Sequence, residues 1–331
     1  IATVMSEETP EPTTPDNHAP SPFHHGELAV QRRLGVSAKV DRFGRAAIRD
    51  FMPDQHRAFF TQLPMFFIGS VDAQGRPWAS VLCGRVGFIQ SPNEKLLHFA
   101  TLPLAGDPFA ESLRGGAAVG GLGIELHSRR RNRVNGRLAI DTARGGFDIR
   151  VDQSFGNCAK YIQARSARLA SDPSAATAGR RVRSFTRLDG ECAAILSRCD
   201  TFFIASQFGA DPRDRRHGVD VSHRGVPAGL LMATSERTLH WPDYRGNFFF
   251  NTFGNIELEP RCGLMIIDFD TGDTLQLTGT AKVLWEAPSD NPAFQGAQRM
   301  VEFRLEQGIH VGNAVPFAWD FLERAPQFST E

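Results

Sequence analysis

Hydrophobic and polar positions change rhythm three times along this chain. Over residues 1–22, five prolines stand among Glu, Thr, Ser and Asp with little to bury, so disorder is expected there. Order is expected from Phe23. Leu28, Val30 and Leu34 then recur among polar residues and predict a short helix over 25–34. A second helix is predicted over 52–60, with Pro53 and Asp54 in its first turn, where an amide is free and the helix dipole favours an acid. From Met65 the period shortens. Phe66-Phe67-Ile68-Gly69-Ser70-Val71, the turn Asp72-Ala73-Gln74-Gly75 and the returning Arg76-Pro77-Trp78-Ala79-Ser80-Val81-Leu82 read as a hairpin. Short strands punctuated by Gly, Pro, Asn and Asp continue to about residue 150, which suits an antiparallel barrel or sandwich. Residues 166–190 read as a linker or an exposed helical crossing.

The pattern then starts again. Phe66-Phe67-Ile68-Gly69-Ser70 returns as Phe202-Phe203-Ile204-Ala205-Ser206, 136 positions on. Leu97-His98-Phe99 returns as Leu239-His240-Trp241, and Gly121-Leu122-Gly123-Ile124 as Gly263-Leu264-Met265-Ile266, both 142 on. Arg133-Val134-Asn135-Gly136 returns as Gln276-Leu277-Thr278-Gly279, 143 on. Four anchors in order at nearly constant spacing predict two tandem copies of one β domain. The expected division is a tail over 1–22, a first domain over 23–165, a linker or helix over 166–195 and a second domain over 196–331. The second copy lengthens its first hairpin by about a dozen residues, 207–218, rich in Asp and Arg.

Composition narrows the class. With 41% hydrophobic and 22% charged residues in 331, the chain has the balance of a soluble globular protein. No apolar run approaches the ~20 residues that cross a bilayer, and the stretch before Met5 is too short for a secretory leader. Five cysteines (Cys83, Cys158, Cys192, Cys199, Cys262) without a CxxC pair argue against a disulfide framework or zinc site and for a reducing, cytoplasmic setting. The 37 basic and 37 acidic residues cancel, which removes the electrostatic case for a nucleic-acid partner. Only Lys39, Lys95, Lys160 and Lys282 among the basic residues are lysines. The arginine excess reads first as composition, yet it supplies planar forks suited to phosphate or carboxylate.

Candidate chemistry concentrates in the second copy. In Val219-Asp220-Val221-Ser222-His223-Arg224-Gly225, strand alternation puts Asp220, Ser222 and Arg224 on one face and Val219, Val221 and His223 on the other. The polar face faces either solvent or a ligand. Pro242-Asp243-Tyr244-Arg245-Gly246-Asn247 and Phe250-Asn251-Thr252-Phe253-Gly254-Asn255 follow at an expected strand-to-loop transition. With Arg224 across the sheet they make either a phosphate cradle or a polar rim of turn-forming residues. In the first copy, Arg129, Arg131, Arg133, Asn135 and Arg137 share a strand face, read as solvated and ion-paired ahead of anion binding; if the copies pack together, some reach the other copy's ligand. A helix is predicted to start within 153–162, capped by Ser154 or Asn157, with Lys160 and Tyr161 as candidate ligand contacts. The glycines at 115–123 give no GxGxxG, the histidines form no HxxxH or HxH pair, and there is no GxSxG, so neither a Rossmann fold, a metal nor a serine hydrolase is supported.

These second-copy motifs, with Leu277-Thr278-Gly279, resemble the pyridoxamine 5′-phosphate oxidase-like FMN-binding split-barrel family. The first copy is similar through Gly75-Arg76-Pro77, Arg133-Val134-Asn135-Gly136-Arg137 and Asn157-Cys158-Ala159-Lys160. The resemblance covers roughly residues 23–320. It implies a mainly β fold: two tandem six-stranded antiparallel split barrels with flanking helices and FMN where barrels meet. Carried over position by position, it implicates Ser222, His223, Arg224, Asn247, Asn251, Thr252 and Asn255 in cofactor binding, with Gln276 or Thr278 near the ring and Arg131, Lys160 and Tyr161 from the first copy. One FMN per chain is expected, because Ala105-Gly106-Asp107-Pro108 puts an acid in the first copy where a phosphate would sit, and Pro77-Trp78 is taken as the counterpart of Arg224-Gly225. The implied function is an FMN-dependent oxidoreductase acting on a small molecule. No catalytic side chain is assigned, with His223 and Tyr244 as weak candidates for proton transfer. The alternative is a flavin- or haem-binding carrier or sensor. The substrate pattern of true pyridoxamine phosphate oxidases is not found. Tandem relatives often run on into a ferredoxin-reductase module; none is read here, so a separate NAD(P)H- or ferredoxin-linked reductase is the expected donor, and a homodimer the expected assembly.

Overall fold

The computed structural model describes residues 20–140, 145–173, 180–209, 211–286, 288 and 291–328. The expected tail is therefore described only from Pro20, and part of the expected linker lies outside the described residues. The chain opens with α1 (His25–Arg33), α2 (Ser37–Ala47) and α3 (Asp54–Thr61). His24 caps α1 by accepting from the Gly26 amide, while Glu27 accepts from the His24 amide. The first sheet follows: β1 (Met65–Val71), β2 (Pro77–Cys83), β3 (Ile89–Asn93), β4 (Leu96–Phe99), α4 (Phe109–Ser112), β5 (Ala118–Glu125), β6 (Arg130–Ile140) and β7 (Phe147–Gly156). After β8 (Ala164–Leu169), β9 (Val182–Phe185) and α5 (Gly190–Arg198) comes the second: β10 (Thr201–Phe208), β11 (Gly218–Gly225), β12 (Met232–Ser235), β13 (Thr238–Tyr244), α6 (Asn251–Leu258), β14 (Arg261–Ile267), β15 (Thr274–Leu284), β16 (Ala297–Val311) and finally β17 (Phe317–Glu323).

The two sheets repeat one topology. Their orders are β2-β1-β5-β6-β7-β4-β3 and β11-β10-β14-β15-β16-β13-β12, every neighbour pair antiparallel. Each path has a short seventh strand beyond the expected six. Even the irregularities match. A bulge follows Asn135 on β6 and Thr278 on β15, and the next residue is Gly136 or Gly279, where a Cβ would stand 1.9 or 2.0 Å from the Arg150 or Arg304 carbonyl oxygen. The chain is mainly β, two tandem split barrels, as the repeat predicted. The stretch expected as a linker is more structured than that. β9 extends the second sheet beside β16, β8 pairs with β17, and α5 packs its Cys192, Ile195 and Leu196 into the second core.

Strand alternation makes each barrel two-faced. Phe66 and Ile68 on β1 enter the first core, as Phe202 and Ile204 on β10 enter the second. The intervening residues form a third apolar cluster between the barrels, with Phe67 stacked on Phe203 at 3.4 Å and Ala79, Val81, Ala205, Val221 and Met265 around them. Fully burying one such large side chain contributes ~1.5–3 kcal/mol, so a cluster of this size joins the barrels into one packed body. Glycine permits the close approach: a Cβ on Gly120 would lie 2.4 Å from the Val219 carbonyl oxygen, and one on Gly263 2.4 Å from that of Pro77.

Candidate functional site

β11 runs along the seam between the barrels, and its far end opens into a cleft with about 880 Å³ of empty space, part of it open to solvent. Alternation sets Asp220, Ser222 and Arg224 toward α6, and His223 toward the first barrel, against Phe203. β6 of the first barrel crosses opposite and brings Arg131 and Arg133. The segment after β7 closes one side, packing so tightly that a Cβ on Gly225 would stand 1.7 Å from the Tyr161 carbonyl oxygen. The segment before α6 closes the other.

The cleft is strongly cationic. Arg133 is 3% exposed and donates to the Asp220 carboxylate at 2.8 Å and to the Ser222 hydroxyl. Arg131 donates to the Cys158 carbonyl at 2.7 Å and to His223 Nδ1 at 2.9 Å. Arg224 lies 3.4 Å from Asp243, a carboxylate that Arg299 shares at 3.3 Å. Burial raises the Asp243 carboxyl, opposed by those two arginines. Asp220 is further held by Asn135 and Asn255, at 2.7 and 2.9 Å. Burial, with Arg131 and Arg224 nearby, holds His223 well below its ordinary value, so it is neutral at pH 7. Because a guanidinium can only donate, Nδ1 is the acceptor and Nε2 carries the proton. That Nε2–H is buried without a hydrogen-bond partner, as are Arg133 Nε and Asn157 Oδ1. Orphaned buried groups of this kind cost ~1–3 kcal/mol each until met.

Backbone strain gathers at the same place. Tyr161, Phe248 and Phe250 line the cleft with φ of 66°, 65° and 60°, left-handed conformations that bulky residues rarely hold. Phe250 is also the N-cap of α6, and no side chain caps that helix, which begins at the cleft wall. The chain's two tyrosines, Tyr161 and Tyr244, stack at 5.3 Å at the mouth, with Phe328 against both. Burial raises the Tyr244 hydroxyl to about 12.

Ser222, His223, Arg224, Asn247, Asn251, Arg131, Lys160 and Tyr161 therefore all line one cleft. Four other expected contacts lie elsewhere. Thr252 sits one step behind, donating to Ser222 at 3.1 Å. Asn255 is a turn deeper on α6, bonded to His24, Ser206 and Asp220. Gln276 and Thr278 are on the opposite side of the seam: Gln276 Nε2 donates to the Ala79 carbonyl and Ser80 hydroxyl, and the Thr278 hydroxyl to the Pro77 carbonyl. They face the first barrel because each barrel's sixth-strand residues cross to its partner.

Local structure corrects other expectations. No helix starts within 153–162; β7 runs to Gly156, and the left-handed Tyr161 then turns the chain. The expected strand-to-loop transition at Asn251 is the start of α6. The middle of the arginine face of β6, Arg131, Arg133 and Asn135, is packed against β11, whereas Arg129 and Arg137 at its ends are partly exposed and ion-paired with Glu323 and Asp152. Register pairs Phe202 with Arg224 and Phe66 with Leu82, so the counterpart of Arg224 is Leu82, not Pro77-Trp78. Sequence alone gives Asp243 and Phe253 no role, and Arg133 only a place among the arginines that could reach the other copy's ligand. For Arg133 the signal was there, in its place on the arginine face and its alignment with Gln276. Asp243 stood in the quoted motif without a role. Among the described residues no group of three or more His, Cys, Asp or Glu is placed to hold a metal, and no helix is long and apolar enough to cross a membrane.

No family model and no curated protein matches the chain. Among solved structures it is similar to Group A Streptococcus HupZ, at 11% identity over 36% of this chain and 90% of that one, TM-score 0.28. It is similar also to HutZ, the haem storage protein of Vibrio cholerae, at 15% identity over 38% of this chain and 95% of that one, TM-score 0.26. A third is a pyridoxamine 5′-phosphate oxidase-related, FMN binding protein from Nostoc punctiforme, at 9% identity over 42% of this chain and 92% of that one, TM-score 0.26.

Proposed function

We propose that the cleft binds FMN by its phosphate and that the chain is an FMN-dependent oxidoreductase acting on a small molecule. The observation that carries this reading is the convergence of Arg224 and the Ser222 hydroxyl on the uncapped start of α6. Of the three guanidiniums at the cleft, Arg133 and Arg224 each meet one carboxylate, Asp220 and Asp243, and Arg131 is bonded to the Cys158 carbonyl and His223, which leaves positive charge for an anion. The orphaned His223 Nε2–H and Asn157 Oδ1 offer a further donor and acceptor to a polar ring.

Bound there, FMN would supply the electron and hydride chemistry that no side chain of the cleft provides. Arg224, Ser222 and the first amides of α6 would hold the phosphate. His223, neutral and fixed by Arg131 at Nδ1, would donate to FMN from Nε2. Tyr161 and Tyr244 wall the mouth against water. Neither His223 nor Tyr244 titrates near neutrality, which removes both as proton carriers at pH 7. The expected reductant is a separate NAD(P)H- or ferredoxin-linked reductase. Both walls of the cleft come from one chain, so a homodimer is not needed to complete it.

A haem carrier is the rival reading, and His223 weighs against it. An axial imidazole binds iron through its unprotonated nitrogen while the other donates; here the unprotonated Nδ1 faces Arg131. The visible spectrum of the purified full chain decides between them. Flavin bands, present or acquired on adding FMN, are expected. A Soret band, or a colourless protein that ignores FMN, would overturn the reading, and turnover with NAD(P)H or a reductase then separates enzyme from carrier.

A further inference from the structure

The duplication supplies an internal comparison for the anion site. β10 pairs Ile204 with Ser222, and β1 pairs Ile68 with Ser80, so Ser80 is the counterpart of Ser222. β1 pairs Phe67 with Leu122 and β10 pairs Phe203 with Met265, so the register makes Leu122 the counterpart of Met265, one residue off the ungapped alignment. These pair in turn with Arg133 and Gln276, which are therefore counterparts. Each of these crosses the seam to the other barrel's serine: Arg133 donates to Ser222, and Gln276 Nε2 donates to Ser80 Oγ at 3.1 Å. The two arrangements are the same wall built twice, once with a guanidinium and once with a neutral amide.

In the first barrel that wall already holds a carboxylate. Asp107, 6% exposed, accepts through Oδ1 from the Ser80 hydroxyl at 2.6 Å and the Phe109 amide at 2.8 Å, and through Oδ2 from Gln276 at 3.2 Å. The strand beside it offers Leu82 where the second barrel has Arg224, and Val81 where it has His223. We propose that Asp107 is a built-in ligand: its carboxylate takes the Ser80 and Gln276 donors that an anion in the first barrel would need, so the chain takes one such ligand, at the second barrel's cleft, and not two. Burial lifts the Asp107 carboxyl to about 6, which leaves it largely ionised at and above pH 7. Among the described residues the groups that bond it are neutral: the Ser80 hydroxyl, the Gln276 side-chain amide and the Phe109 and Val81 backbone amides hold it, as neutral donors hold a bound anion.

The count of one rests on the reading of the cleft given above, whereas the role of Asp107 rests on its own contacts, and the test separates the two. In full-length Asp107→Ala the donors of Ser80, Phe109 and Gln276 lose their acceptor, and a free carboxylate should replace it. With sodium acetate as the probe, against chloride at equal ionic strength, the unfolding midpoint of Asp107→Ala should rise by about 2–4 °C while that of the unsubstituted chain stays put. Equal responses in the two, or none in Asp107→Ala, would overturn the proposal. Should that variant not accumulate folded, refolding it from denaturant asks the same question: recovery in acetate but not chloride supports the built-in ligand, and equal recovery or equal failure sinks it. The flavin-to-protein ratio of the unsubstituted chain should saturate at one; two equivalents would also refute it. If no FMN binds at all, the cleft reading fails, and the acetate arm still decides Asp107.

Discussion

Replacing Arg224 with alanine is the sharpest trial of the phosphate assignment, because the structure lets binding and folding be told apart. Arg224 is about a quarter exposed, and its one ion-pair partner, Asp243, stands at a loose 3.4 Å. Asp243 keeps Arg299 at 3.3 Å after the change, so no buried carboxylate is left alone. The stability cost should stay within ~1 kcal/mol. A charge-assisted hydrogen bond to phosphate contributes ~1.5–3 kcal/mol, which at 1.4 kcal/mol per decade weakens FMN binding roughly 10–150-fold. The assay is quenching of flavin fluorescence, titrated in parallel with FMN and with riboflavin, which lacks the phosphate. Arg224→Ala should weaken FMN by the full factor and riboflavin by less than about threefold. Equal losses for the two flavins would mean that Arg224 serves the ring or the fold. An undiminished FMN affinity would place the phosphate elsewhere.

Two further outcomes follow from the same geometry. Gly225→Ala drives a methyl against the Tyr161 carbonyl oxygen, 1.7 Å from where it would sit, so the segment after β7 must lift from β11; both flavins should bind at least about tenfold more weakly, and unaltered affinity would show that this wall is dispensable. Burial raises Glu27 from 4.5 to about 8, so the folded chain holds a proton that the unfolded chain releases. The sign is that stability falls as pH rises toward 8. His24, lowered to about 4 by burial, acts oppositely but only below 6.5, and Asp107 is lost to the trend above about 6. Chemical denaturation between pH 6.5 and 8 should therefore show a decline that Glu27→Gln flattens; a slope unchanged in the variant would refute the burial argument.

The fold was legible where the chain repeats itself. Phe66-Phe67-Ile68 and Phe202-Phe203-Ile204 announce the same strand because the same alternation sends the outer two residues to a core and the middle one to the seam. The repeat also predicts that Arg133 and Gln276 are equivalent. What it cannot say is which barrel each one faces, since that depends on how the copies dock. Gln276 and Thr278 accordingly lie on the other side of the seam from the cleft, and Arg133 takes the second of the two places the sequence leaves open to its face, reaching the other copy. Counterparts across an ungapped stretch fail for a related reason: the longer second hairpin hides the equivalence of Arg224 and Leu82, which only the strand register reveals. The helix expected near Lys160 came from its polar, cap-like residues; Phe155, fully buried, and the ladder to β6 hold that stretch extended instead. α6 was missed because its first residues, Asn251 and Thr252, favour turns when read locally, and tertiary contacts from α1 to Asn251 and Asn255 decide the matter.

The crossing of Arg133 and Gln276 over the seam has a consequence for mass action. A pocket assembled from separate subunits empties when the protein is diluted below the subunits' own dissociation constant, and its ligand affinity is then tied to protein concentration. Here the two walls are covalently tethered, and the concentration of each half seen by the other is fixed by the chain itself. Occupancy of the cleft should depend on free ligand alone, down to the smallest amounts of protein a cell or an assay contains.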